Sequence, residues 1–424
     1  MKVTQGVLVT LLVALFATGA AQIELEYWTH EDPNRSQIEE RLIEEFVQLH
    51  PNVRINRVTH PSGPLPDLIL TAFAANRAPD IFGLTSQRLT PYIVHGRVAP
   101  VNTEVFGVTS HSEIIARYAE GALDPVVHDG QLYGIPFEVT NWAIFMNDRI
   151  FRDAGLDPDT DYPTTWEEMM EVSDQIAIRE GDVLVRRGFD FRYPFYNYFV
   201  VPMVEQLGGS LIDEETGDVV VGDEAWLRVL SYFQEWGPHG RNLGSPTYTN
   251  ARALFNHDNN DLAMAHTGLY QIARIRADNQ EFYDSGEWRV VPFPRWADAV
   301  NDVAAVFYGM YWLVNEQASV ERQEMAWRFV DYMASHPLEY FEVAGLVQPV
   351  PELLGHPAYQ EYPYTEVFDQ ELARGNPLYS GEHAARVQEA LQDAIEAVML
   401  QNASPENVLP TLRDSVQRAL EGRF

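Results

Sequence analysis

The chain has 424 residues, no cysteine and a formal net charge of −33. The missing cysteine excludes disulfides, thiolate nucleophiles, iron–sulfur clusters and Cys-ligated zinc. Lys2 is the sole lysine, so Schiff-base, phosphate-loop and kinase-type lysines are excluded as well. Beyond Lys2, 28 Arg stand against 62 Asp and Glu, a net of −34, which disfavours nucleic acid and anionic membrane surfaces as partners. Two readings of this acidity stay open: adaptation to high salt, where counterions screen self-repulsion, and a GC-rich genome favouring arginine codons.

Residues 1–21 carry the pattern of an export signal: Lys2, an apolar run over 7–16, then Gly19-Ala20-Ala21 before Gln22. The run is about half the roughly 20 residues a spanning helix needs, so cleavage near Ala21 is expected, not anchoring. No cysteine follows it to take a lipid, and a soluble periplasmic protein is the expectation. The remaining length exceeds one comfortable core and predicts two lobes.

The chain then alternates as a strand over 23–28, turns through 29–36, and shows helical spacing over 37–50. Pro51 ends that helix, and 53–58 reads as a second strand, giving a βαβ unit and an α/β class. A helix over 68–76 precedes a short strand at 80–83. Residues 132–136 and 142–146 are strand-like, with 136–141 as a crossing segment between lobes. Thr165-Trp166-Glu167-Glu168 is a capping box opening a helix to about residue 178. Helices are expected at 224–236 and 269–279, strands at 289–292 and 307–314. Three helices close the chain at 321–335, 383–400 and 406–420, the last with Ser404 and Pro405 at its start. No repeat and no low-complexity linker interrupts this order.

Asp157, Asp159, Asp161 and Glu168 match positions 1, 3, 5 and 12 of a calcium loop, but Tyr162 stands where the sharp turn needs glycine. The capping box is the better reading of Glu168. The run 257–261 is acidic and amide-rich with no ligand spacing, and no metal site is expected. No Gly-x-Ser-x-Gly elbow, His-Glu-x-x-His pair or Gly-rich phosphate loop occurs, so no catalytic residue and no cofactor is expected. Aromatics are the remaining signal. Trp28, Trp142, Tyr270, the group Tyr193, Phe195, Tyr196 and Tyr198, and the late strand with Tyr308, Tyr311 and Trp312 are core material or flat platforms for sugar rings.

Ordered blocks then carry a family resemblance: Tyr27-Trp28; Leu42-Ile43-Glu44-Glu45-Phe46; His50-Pro51-Asn52-Val53; and the alanine-rich 72–76 followed by Ala78-Pro79-Asp80-Ile81-Phe82. Leu132-Tyr133-Gly134-Ile135-Pro136, Ala154-Gly155-Leu156, Pro163 to Glu168, Gly208-Gly209 and Ala326-Trp327-Arg328-Phe329 continue it. Together they resemble the family 1 extracellular solute-binding proteins, the sugar-type binding components of ABC importers. The sequence departs from the family at Met146-Asn147, Gly268-Leu269-Tyr270 and Tyr308-Gly309-Met310-Tyr311, all at cleft positions in relatives.

The resemblance implies a type II two-lobed fold with mainly parallel sheets flanked by helices and a ligand cleft at the hinge. It implies one lobe of 22–138 plus 293–335, another of 139–292 plus 336–424, and closure of the two around a carbohydrate. Carried over by position, the ligand contacts would be Trp28, His30, Asp80, Glu138, Asn141, Trp142, Phe195, Tyr196, Tyr270 and Tyr308. The implied partners are a carbohydrate and the permease subunits, with the protein itself a monomer. Alternatives stay open: a polyamine or glycerol-phosphate ester in the same fold, a sensor subunit, or a secreted carbohydrate-active hydrolase.

Overall fold

A computed structural model describes residues 22–181, 183–191, 195–213, 215–245, 255–256, 261–304 and 306–423. The expected export signal, Tyr193, residues 257–260 and the side chain of Tyr308 lie outside this description.

The first lobe grows from β1 (Ile23–His30), whose alternation sends Ile23, Leu25 and Tyr27 into the core. The helix Pro33–Leu49 begins four residues before the predicted 37. Asp32 caps it by accepting from the Asn34 and Arg35 amides, and Pro33 takes the first turn. Ile38, Leu42 and Phe46 form its buried face, each worth roughly 1.5–3 kcal/mol of transfer free energy. β2 (Val53–His60) and β3 (Ile81–Thr85) flank β1 in parallel, joined through the helix Leu65–Ala74.

A small hairpin, β4 (Val127–His128) with β5 (Gln131–Leu132), leads to β6 (Ile135–Thr140) and β7 (Trp142–Asn147). The segment 136–141, expected as a crossing, is mostly strand. A backbone buried on both faces must pair its polar groups, and β6 does so on a strand of the first sheet. The crossing shrinks to Asn141.

The second lobe holds β7, then β8 (Ile178–Glu180), β9 (Val183–Asp190), β10 (Leu262–Gly268) and β11 (Trp288–Val291), in the order β11-β7-β10-β9-β8. The capping box at Thr165 is formed as expected, opening the helix Trp166–Ile176. Asp157 and Asp161 bond each other's segment, Asp159 pairs with Arg289, and Glu168 accepts the Thr164 and Thr165 amides. The helices Asn197–Gln206, Glu224–Trp236 and Tyr270–Asp278 cover this sheet.

The chain then returns to the first lobe as β12 (Val306–Val314), antiparallel to both β3 and β6. After the helices Val320–Ala334 and Pro337–Ala344 it crosses once more, running beside β6 where the Val139 amide donates to Val347 O at 2.8 Å. The short strand β13 (Asn376–Pro377) touches the first sheet through β12. The final helices Ala384–Leu400 and Pro405–Leu420 pack on Glu224–Trp236. The first sheet is thus β13-β12-β3-β1-β2 with β6 on β12.

Candidate functional site

The parallel strands β1 and β3 end together at one side of the first sheet, and their carboxyl ends open onto a cleft between the lobes, the usual ligand position in open α/β sheets. The cleft has a volume of about 810 Å³, toward the upper part of the roughly 300–1,000 Å³ common for ligand pockets. From the first lobe it takes His30 at the end of β1, Glu31 and Asp32 after it, Gly83 to Thr85 on β3, and Gln87 and Arg88 beyond. Glu138 on β6 and Met310 on β12 complete that wall.

The second-lobe wall is aromatic. Trp142 opens β7 and meets Tyr198 edge-on at 4.8 Å, while Phe195 stacks on Tyr198 at 5.4 Å. Tyr270 begins its helix immediately after β10. Gly268 permits this packing, because a Cβ there would lie 2.6 Å from the Tyr270 ring and 3.3 Å from Trp142. A second wing of the cleft runs outward between Leu65, Pro66 and Leu70 on one side and the start of the helix Ala384–Leu400 on the other. That helix presents Arg386, Gln388, Glu389 and Gln392.

Charge in the cleft is organised by a buried polar group behind it. Arg35, fully buried, donates to Thr29 Oγ1 and to the His30 carbonyl, and pairs with Glu39, which also accepts Arg57 Nε at 2.6 Å. Its guanidinium lies 5.0 Å over the Phe137 ring. Asp32 meets Arg274 of the opposite lobe at 2.7 Å. Burial pushes the Asp32 carboxyl up, but Arg274, Arg35 and His30 outweigh it and hold the group well below the usual carboxylate range. Burial likewise opposes the charge on Arg274, and Asp32, Tyr270 and Glu138 more than restore it.

Of the expected contacts, His30, Glu138, Trp142, Phe195 and Tyr270 line this cleft. Four others lie elsewhere, and the side chain of Tyr308 is outside the described residues. Trp28 packs on the core beside His60, with ring centroids 4.9 Å apart. Asp80 precedes β3 at the far end of the sheet, accepting the Glu26 amide and Arg322, where burial raises its pKa. Asn141 donates to the Phe368 carbonyl and faces a separate 280 Å³ cavity behind the hinge. Tyr196 is buried against Phe233. The backbone of Tyr308 pairs with Thr140. Tyr198, one of the aromatic group offered as core or sugar platform, lines the cleft, and Asp32, Gln87, Arg88 and Arg274 line it without having been expected there.

No helix among the described residues is long and apolar enough to cross a membrane. The chain is 20% identical over 405 residues to a maltotriose-binding protein of Pyrococcus abyssi, covering 93% of this chain and 82% of that one. It is 19% identical to a lactose-binding protein of Rhizobium radiobacter, covering 78% and 75%. Its fold matches an ABC transporter solute-binding protein of Thermotoga lettingae bound with α-D-tagatose, with a TM-score of 0.81, 17% identity, and coverage of 94% and 100%. Two α/β lobes on two sheets, with the cleft at their crossing, are the architecture of these type II binding proteins. Residues 32–338 match the model of the bacterial extracellular solute-binding proteins, and the chain belongs to that family.

Proposed function

We propose that this protein captures an oligosaccharide in the periplasm and hands it unaltered to the permease subunits of an ABC importer, acting as a monomer. The observation that carries the reading is the two-faced cleft. Trp142, Phe195, Tyr198 and Tyr270 offer ring faces and edges to a C–H-rich pyranose, and Asp32, Glu138, Gln87 and Arg274 offer planar polar groups to its hydroxyls. The names of the sugar-binding relatives agree with it. We take the two lobes as 22–138 with 293–335 and 139–292 with 336–424, save that β6 as far as Thr140 and the helix Pro337–Ala344 go with the first lobe, and residues 1–21 as a cleaved export signal.

Binding begins on one lobe and is completed by the other, so the guest shifts the population toward the closed form. Closure removes water and strengthens each hydrogen bond at the sugar. No bond of the guest is broken. The test is a thermal-shift screen with maltose, maltotriose and lactose, with spermidine and glycerophosphocholine as controls. A melting temperature raised by a sugar and by neither control supports the reading, as does recovery of the intact sugar. Phe195→Ala, at a partly exposed site, should weaken the shift and leave the unliganded melt nearly unchanged. A shift from glycerophosphocholine alone, or release of shortened sugar, would overturn it.

A further inference from the structure

Asp32 and Arg274 lie 242 residues apart and belong to different lobes, yet their charged groups meet at 2.7 Å in the wall of the cleft. Each is held ready by its own lobe. Asp32 Oδ1 accepts the Asn34 and Arg35 amides, which leaves Oδ2 directed at the second lobe. Behind it, Arg57 and Arg35 share Glu39, and the surplus positive charge of that group helps to keep Asp32 ionised. Arg274 stands on the first helix after β10, its guanidinium 4.9 Å over the Tyr270 ring. Neither partner needs much reordering when the lobes meet, so little side-chain entropy opposes the contact. Asp32 is 4% exposed and Arg274 22%, so solvent screens the pair far less than a surface ion pair.

We infer that Arg274 is the closure-setting residue of this chain: through Asp32 it draws the lobes together before any guest bridges them, and so sets the fraction of free protein that is closed. The inference rests on the two-lobed hinge and not on the identity of the guest. Affinity follows from it, since a guest that needs the closed form binds in proportion to the population already there.

Small-angle X-ray scattering of the ligand-free protein tests this directly. Arg274→Gln and Asp32→Asn should each raise the radius of gyration and the maximum dimension. Asp32→Asn keeps an oxygen for the helix cap, so its far-UV circular dichroism and cooperative melt should stay native. Arg274→Lys should stay near wild type, and the double variant should open no further than either single one, because both remove the same contact. Maltotriose should bind Arg274→Gln about tenfold more weakly, but Arg274 also faces the guest, so the scattering and not the affinity decides the closure role. Scattering curves of Arg274→Gln and wild type that superpose would overturn the inference, as would additive opening in the double variant. If wild type ignores maltotriose while Arg274→Gln still opens, the sugar reading fails and the closure role stands.

Discussion

Glu371 offers a measurable consequence of a charge buried beside a hinge. It sits on the helix Thr365–Ala373 and is 1% exposed. Its carboxylate accepts the Phe293 amide at 3.2 Å and Arg374 at 2.6 Å. Phe293 starts the crossing from β11 to β12, and the same segment is held again where the Ala304 amide donates to Arg374 O. Burial pushes the carboxyl up to about 7, and Asp302 adds to the rise; Arg374 and the Phe293 amide pull the other way and lose. The folded pKa lies above the unfolded value of 4.5, so the native state holds this proton more tightly. The stability it confers is therefore complete below pH 4.5 and is lost as pH rises through 7. At 1.36 kcal/mol per pKa unit the loss is about 3 kcal/mol. In Glu371→Gln the amide keeps an acceptor for Phe293 and never ionises. Urea unfolding of both proteins from pH 4.5 to 8 should show the wild type losing about 3 kcal/mol relative to the variant. Parallel stability curves across that range would refute the reasoning.

Gly268→Ala should place a methyl group against the Tyr270 ring and displace both Tyr270 and Trp142, costing about 1–3 kcal/mol and weakening the sugar-induced thermal shift. Differential scanning calorimetry with and without maltotriose checks both effects. Gln206 joins Trp166 Nε1 to the carbonyls of Pro294 and Val303. Gln206→Leu removes these three bonds and should cost about 3 kcal/mol at roughly 1 kcal/mol each, read as a fall in the urea midpoint. The surplus of acidic groups predicts a melting temperature that rises between low and molar salt; an unchanged melt would favour the codon-usage explanation of the arginine bias.

What could be read from the sequence was local. The period of Ile23, Leu25 and Tyr27, the helical face of Ile38, Leu42 and Phe46, and the box at Thr165 are each determined within a dozen residues. The last helix likewise begins at Ser404-Pro405, although the Ser404 side chain makes no capping bond. β10 is hard to read from sequence because a strand buried on both faces, such as Leu262–Gly268, has no alternation to display; β9, half-buried over most of its length, shows none either. The site was less legible for a geometric reason. Asp80 heads β3, and the cleft lies at the strand's other end, past Thr85. Asn141 sits at the hinge but points behind it, while Tyr198, two residues beyond Tyr196, turns toward Trp142. Asp32 looked like a turn residue and Arg274 like one more helix charge; only the folding of two distant segments makes them a pair.

The distribution of polar groups explains how such a molecule can be rigid within each lobe and compliant between them. Inside the first lobe, Tyr27, Glu39, Arg35 and Trp312 bond one another in the core, so a shift of any one strands its partners. Inside the second, Gln206 and Trp166 tie helix to helix and to the returning chain. Between the lobes the chain passes at Asn141, through the segment after β11, and beside Val139 at Val347, where one backbone bond joins two crossings. Opening about these points would part Asp32 from Arg274, Arg88 from Gln388 and Thr90 from the Ser380 carbonyl; Asp32, Arg274, Arg88 and Gln388 line the cleft, where a guest's hydroxyls can receive them. Much of the polar matching between the lobes therefore lies on the walls that a guest would bridge.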